Sequence, residues 1–308
     1  SVLFAGAAYA DCYDPLSEAP GTIGTSGVCK DMLIVDKGAL FAGASTRAIL
    51  GPDNNSYTFG DSDYNIFTGQ VTDLNHLFAN DVTFNEDIGY WDVSNVTNFY
   101  YVFPWARSFN QDLGSWDVSK ATSMNQMFNN ADAFNQDISS WVVSSVTDFD
   151  QMFAGTKVFN QNISSWDVSS GPTISQMFRD AEAFNQNLNN WDVSNVTNMN
   201  SMFSGATSFN QALSSWDVSN VTNMDSMFSG ATSFNQALSS WNVSNVTNMN
   251  SMFYQASAYN QDLSGWNVSD FSAQPTGFSA YATSWEASNQ PRWGYPGLAS
   301  SSPADGAT

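Results

Sequence analysis

Histidine occurs once among the 308 residues, at His76, and cysteine twice, at Cys12 and Cys29. One imidazole cannot furnish a His-based dyad, a triad or a multi-His metal site within a single chain, so most hydrolytic and metal-dependent classes fall away. His76 stands among Leu74, Leu77 and Phe78 and reads as a partly exposed structural side chain. Basic residues are also scarce: 8 Lys and Arg face 29 Asp and Glu, giving a formal charge of −21. With no Lys/Arg stripe to displace counterions from phosphates, nucleic acid is not an expected partner, and an anionic membrane surface is disfavoured too. The longest apolar run, residues 1–10, is about half a membrane span, so no membrane span is expected. Paired carboxylates could still cleave a glycosidic bond, but that needs two of them in unlike environments of one pocket. Here most acids recur at a fixed period instead, and the chain is expected not to be an enzyme.

What is present points to a packed molecule. Apolar residues make up 42% and aromatics 15%, too many for a disordered acidic tail. Cys12 and Cys29 share one short stretch and suit a disulfide closing a small loop, with two unrelated buried thiols as the alternative. A disulfide implies an oxidising compartment, hence an extracellular or cell-surface location. No signal peptide is visible, so the numbering is expected to begin at a processed mature end.

An internal repeat dominates the sequence. Phe59, Phe84, Phe109, Phe134, Phe159, Phe184, Phe209, Phe234 and Tyr259 recur every 25 residues without insertion. Trp91, Trp116, Trp141, Trp166, Trp191, Trp216, Trp241 and Trp266 keep the same interval. Within a unit, Trp216 and Val218 alternate as in a strand, whereas Val221, Met224, Met227 and Phe228 follow spacings of three and four that suit a 3₁₀ or short α segment. A unit of this size cannot cover its own aromatic face, so each must lie on the next. The expected fold is a repeat solenoid: a right-handed coil with one parallel β-sheet and short 3₁₀/α segments opposite. Its nine strands, about 4.8 Å apart, would make a sheet roughly 40 Å long. The expected organisation is an N-terminal cap at 1–58, nine repeats over 59–283, and a C-terminal cap and tail at 284–308.

The phrase Leu-x-x-Trp-x-Val-Ser-Asn-Val-Thr-Asn-Met-x-x-Met-Phe-x-x-Ala, seen over 188–206, resembles the 25-residue repeat of BspA-like leucine-rich-repeat surface proteins, similar in turn to Treponema-type leucine-rich repeats. The resemblance implies a secreted or surface-displayed protein used in adhesion, recognition or surface structure. It supplies no catalytic residue.

Several polar columns, sets of residues at one position of successive units, could carry function. Asn110, Asn135, Asn160, Asn185, Asn210 and Asn235 are expected to point inward, each amide accepting from one backbone N–H and donating to a carbonyl of the next coil. Asp92, Asp117, Asp167, Asp192 and Asp217 should face solvent, alternating with buried Trp and Val. Carboxylates so close repel unless a cation intervenes, so this open acidic face could bind Ca²⁺ or a ligand, although a plain solvated face is the simpler reading. Repeated aromatic or Arg anchors are missing from it, which suits weak multivalent contact with glycans or a surface. Sequons at Asn54, Asn95, Asn162, Asn195, Asn220, Asn242, Asn245 and Asn267 offer glycosylation sites, crowded where they share a column. In the unit 159–183, Gly171 and Pro172 interrupt the usual Ser-Asn-Val-Thr, which predicts a local bulge or bend. The exposed ends of such a stack need caps or partners, and head-to-tail self-association into a filament is the expectation that follows.

Overall fold

The computed structural model describes residues 33–51, 54–60 and 66–294. The proposed Cys12–Cys29 disulfide lies outside these residues.

The chain enters through strand β1 (Leu33–Ile34), helix α1 (Lys37–Ala44) and an antiparallel pair, β2 (Ala48–Leu50) with β3 (Ser56–Thr58). Asp36 caps α1 by accepting from the Ala39 N–H at 2.8 Å. β1 pairs in parallel with β4 (Ile66–Phe67), which ties this segment to the first unit. Two cations hold it there from the side. Lys37 Nζ reaches Asp73 at 2.6 Å and Asn75 at 3.0 Å, and Arg47 contacts Asp81 at 3.2 Å and Glu86 at 3.0 Å.

From Phe59 onward, residues 25 apart lie against one another. Single parallel bridges join Asp73, Asn98, Ser123 and Asp148 in one run, and Thr173, Asn198, Asn223 and Asn248 in a second. Around each bridge a backbone ladder forms. Met224, Ser226, Phe228 and Gly230 donate to Asn248, Asn250, Met252 and Tyr254 of the next unit at 2.7–2.9 Å. The residues between them donate within the unit instead: Met227 to Met224, Ser229 to Ser226 and Ala231 to Phe228. These are tandem β-turns. Ser226 has φ 55° and Gly230 φ 70°, each third in its turn, the signature of type II geometry. The left-handed residue turns the peptide so that N–H groups point alternately along the stack and into the turn.

This arrangement exchanges the roles expected from the sequence. The segment 221–228, expected as 3₁₀ or α, is the tandem-turn ribbon that carries the cross-unit bonds. Trp216 and Val218, expected on a strand, lie between two turns closed by Trp216 N–H to Leu213 and Val221 N–H to Val218. Spacings of three and four are common to helices and to successive four-residue turns; a positive φ every fourth residue rules out the helix. No sheet longer than isolated bridges forms along the described repeats.

The interior consists of aromatic columns. Phe134, Phe159 and Phe184 follow at 6.0 Å with interplanar angles of 10° and 1°. A second column, Phe128, Phe153, Phe178 and Phe203, repeats at 5.7–5.8 Å. The two columns touch, as in Phe178–Phe184 at 4.0 Å. Trp141–Trp166 and Trp216–Trp241 stack at 6.3 and 6.4 Å. Such offset stacking is the arrangement that ring quadrupoles prefer. At both ends the rings turn edge-on: Phe59–Trp91 at 81°, Tyr259–Trp285 at 83° and Phe278–Trp293 at 75°.

The bridge is missing between Asp148 and Thr173, although Gln151, Phe153 and Gly155 still donate to Ser175, Met177 and Arg179 of the next unit. In neighbouring units a threonine N–H donates one unit back, as Thr147 does to Thr122 and Thr222 to Thr197. Pro172 occupies that position and has no N–H to give. The rings beneath remain in register, with Phe153–Phe178 at 5.8 Å and 6°. The predicted distortion is therefore a gap in the ladder, without displacement of the stack.

Candidate functional site

The asparagine column forms a continuous chain of bonds. Each side-chain Oδ1 accepts the backbone N–H of the next asparagine: Asn110 from Asn135, Asn135 from Asn160, Asn160 from Asn185, Asn185 from Asn210 and Asn210 from Asn235, all at 2.9 Å. Asn235 accepts from Asn260 at 3.0 Å. These side chains are half-buried to exposed, so they lie on an outer corner and not inside. The donation expected of them comes from the adjacent glutamines, as Gln136 Nε2 to the Asn110 carbonyl and Gln236 Nε2 to that of Asn210. That glutamine column was visible at the same period in the sequence and was missed.

The tryptophans add a polar thread to the core. Indole Nε1 donates one unit back, from Trp116 to Ile88, Trp141 to Leu113, Trp166 to Ile138, Trp191 to Ile163, Trp216 to Leu188 and Trp241 to Leu213, at 2.9–3.2 Å. All six rings are buried.

Asp117, Asp167, Asp192 and Asp217 are exposed and Asp92 is half-buried. Every one is bound into its own corner, accepting the N–H two residues on: Ser94, Ser119, Ser169, Ser194 and Ser219, at 3.0–3.1 Å. This is the Asx-turn that short polar side chains make. The Ser194 hydroxyl and N–H hold Asp192 below the usual carboxylate range, and Ser219 does the same for Asp217. On Asp217 the neighbouring Asp192 pushes the other way, the weakest influence of those acting. At Asp217, then, local hydrogen bonds outweigh the repulsion from its neighbour. Val142 interrupts the column and is 56% exposed. Among the described residues no group of three or more His, Cys, Asp or Glu could hold a metal ion.

Four sequon amides are engaged across units. Nδ2 of Asn95, Asn195, Asn220 and Asn245 donates to the carbonyls of Gly69, Ser169, Ser194 and Ser219 at 2.7–3.0 Å. Nδ2 is the atom a glycan would take, so modification would compete with this bond. Asn162, Asn242 and Asn267 accept through Oδ1 from Ser164, Ser244 and Ser269. Asn54 is exposed, with φ 64°.

Asp150, beside the ladder gap, escaped notice in the sequence. Its Oδ1 accepts from Thr173 Oγ1 at 2.7 Å and Ser175 N–H at 2.9 Å, so a side chain rejoins the units where the proline removes a backbone bond. Burial is the main cause holding its carboxyl above the ordinary range, assisted by the Asp148 charge.

Taken together, these columns define a protein of stacked tandem repeats whose recurring Asn, Gln and Trp groups join unit to unit. The chain belongs to the family described as Mycoplasma protein of unknown function, DUF285, which matches residues 55–154, 138–221 and 175–290. Neither the curated proteins nor the solved structures include a match to it. Among the described residues no helix is long and apolar enough to cross a membrane.

Proposed function

We propose that the protein is a non-catalytic structural or adhesive rod of the extracellular or cell-surface kind, built as a right-handed, leucine-rich-repeat-like solenoid similar to the BspA-like proteins. Copies associate head to tail through their terminal segments. The observation that carries the reading is the commitment of the repeated polar columns: the Asn, Gln and Trp groups hold adjacent units together and the Asp groups brace their own corners, which fits a load-sharing scaffold better than a repeated active site. An interface joining unlike ends does not close on itself, so repeated contacts of this type yield filaments. Electron microscopy and mass photometry of the purified chain over a concentration series test this. Linear assemblies lengthening with concentration are expected; monodisperse monomers at the highest concentration would refute the assembly.

A further inference from the structure

The outer ridge formed by the tandem turns bears rings only near its ends. One column reads Gln126, Gln151, Gln176, Ser201, Ser226 and Ser251 along the middle of the stack, yet its first two members are His76 and Tyr101. A neighbouring column places Trp105 where adjoining units have Asn80 and Asn130. His76, Tyr101 and Trp105 all have left-handed backbone, φ 62°, 58° and 61°. The turns impose this conformation in every unit, and Tyr and Trp are residues that tolerate it poorly, so their choice here points to use. Tyr100 completes the group, 5.1 Å from His76 and 5.6 Å from Tyr101. Trp105 is 37% exposed and lies under the Arg107 guanidinium.

A groove of about 560 Å³ lies between α1 and residues 77–83, lined by Phe41, Arg47, Asn80 and Asp81 among others, and its Asn80 stands one unit before Trp105 in the same column. Its charges are already paired, Arg47 with Asp81 and Glu86, and nearby Lys37 with Asp73. The ladder edge toward the next unit is occupied, because His76, Phe78 and Asn80 donate to Tyr100, Val102 and Pro104. An ionic ligand finds no unpaired charge here, and a polyanion meets a chain of charge −21. Aromatic faces beside a neutral amide, with the neighbouring charges paired among themselves, suit a sugar with its apolar ring faces and peripheral hydroxyls.

We propose that this end of the ridge binds a neutral polysaccharide, its pyranose rings lying on Tyr100, Tyr101 and Trp105 and its hydroxyls bonding to the Asn80 amide in the groove. The assignment deepens the adhesive reading above and rests on it.

Affinity electrophoresis of the full chain in gels containing soluble β-glucan, mannan or starch, with heparin as the acidic comparison, tests the site. At least one neutral polymer should retard the protein and heparin should not. The double variant Tyr101→Asn/Trp105→Asn should bind at least about tenfold more weakly, equivalent to ~1.4 kcal/mol. Its melting temperature should equal or exceed that of the parent, since asparagine tolerates the left-handed backbone. Val142→Ser, on another face, should bind as the parent does. Lack of retardation by all three neutral polymers, full retention by the double variant, or a clear fall in its melting temperature would overturn the proposal, as would binding to peptides in place of sugars. Failure here leaves the imaging of assemblies untouched, so the two readings fall separately.

Discussion

At the residue scale, two kinds of aspartate respond to pH in opposite senses. Asp192 and Asp217 sit below the ordinary carboxylate value in the folded chain, so their contribution is present above that value and lost as pH falls through their folded pKa. Asp150 is shifted upward, mainly by burial. Between its unfolded value near 3.8 and its higher folded value, the native chain binds the extra proton, and stability declines as pH rises across that window. Asp150→Asn keeps an acceptor for Thr173 and Ser175 while removing the buried charge. Thermal melts should therefore show the variant at least as stable as the parent at pH 7 and lacking the decline above pH ~4. A variant clearly less stable at pH 7 would show that the charge itself is required there. Column membership was legible for Asp192 because its neighbours recur with it; Asp150 was not, because Asn125 and Ser175 occupy the same position in the adjoining units.

At the scale of one unit against the next, volume is exchanged across the interface. Phe99 and Phe149 stand where other units have Leu74, Met124, Ile174 or Met199. The unit after each phenylalanine replaces the usual valine by something smaller, Ala121 and Gly171. A Cβ on Gly171 would lie 3.2 Å from Phe149 Cδ2. Gly171 is thus the space that Phe149 fills, and the apparent loss of a core valine is compensated. Gly171→Val alone should overpack the site and cost about 1–3 kcal/mol. Combined with Phe149→Met it should recover most of that, and denaturant melts of the four chains in a double-mutant cycle measure the coupling. Additive effects would sink the pairing. The ring columns could be read from the sequence because a core position keeps one residue type through the stack. The tandem turns could not, because their left-handed positions hold Gln, Ser and Asp as well as Gly, so φ leaves no single-residue mark.

At the scale of the whole molecule, the bonds between repeats among the described residues reach only the adjoining unit. Stability should then be a sum over units and their interfaces. Excising 209–233 would join Ser208 to Phe234, and Phe234 begins a unit that keeps every buried position of the one removed and differs from it at six of 25 positions. The shortened chain should fold with the same near-UV circular dichroism per remaining unit and melt at a lower temperature; a chain that fails to fold would contradict this additivity. The groove against α1 lay beyond sequence reasoning because it brings residues 41–47 against 77–83, and no periodicity relates the two segments.

The asparagine thread is closed at both extremities. Gly60 stands at its first position and has no amide to offer, while the last, Asn260, gives its oxygen to the N–H of Glu286 outside the repeats. Neither terminus can be prolonged simply by laying on another module, whereas any interior junction is chemically the same as its neighbours. Such a chain gains or loses length from its middle, one whole module at a time.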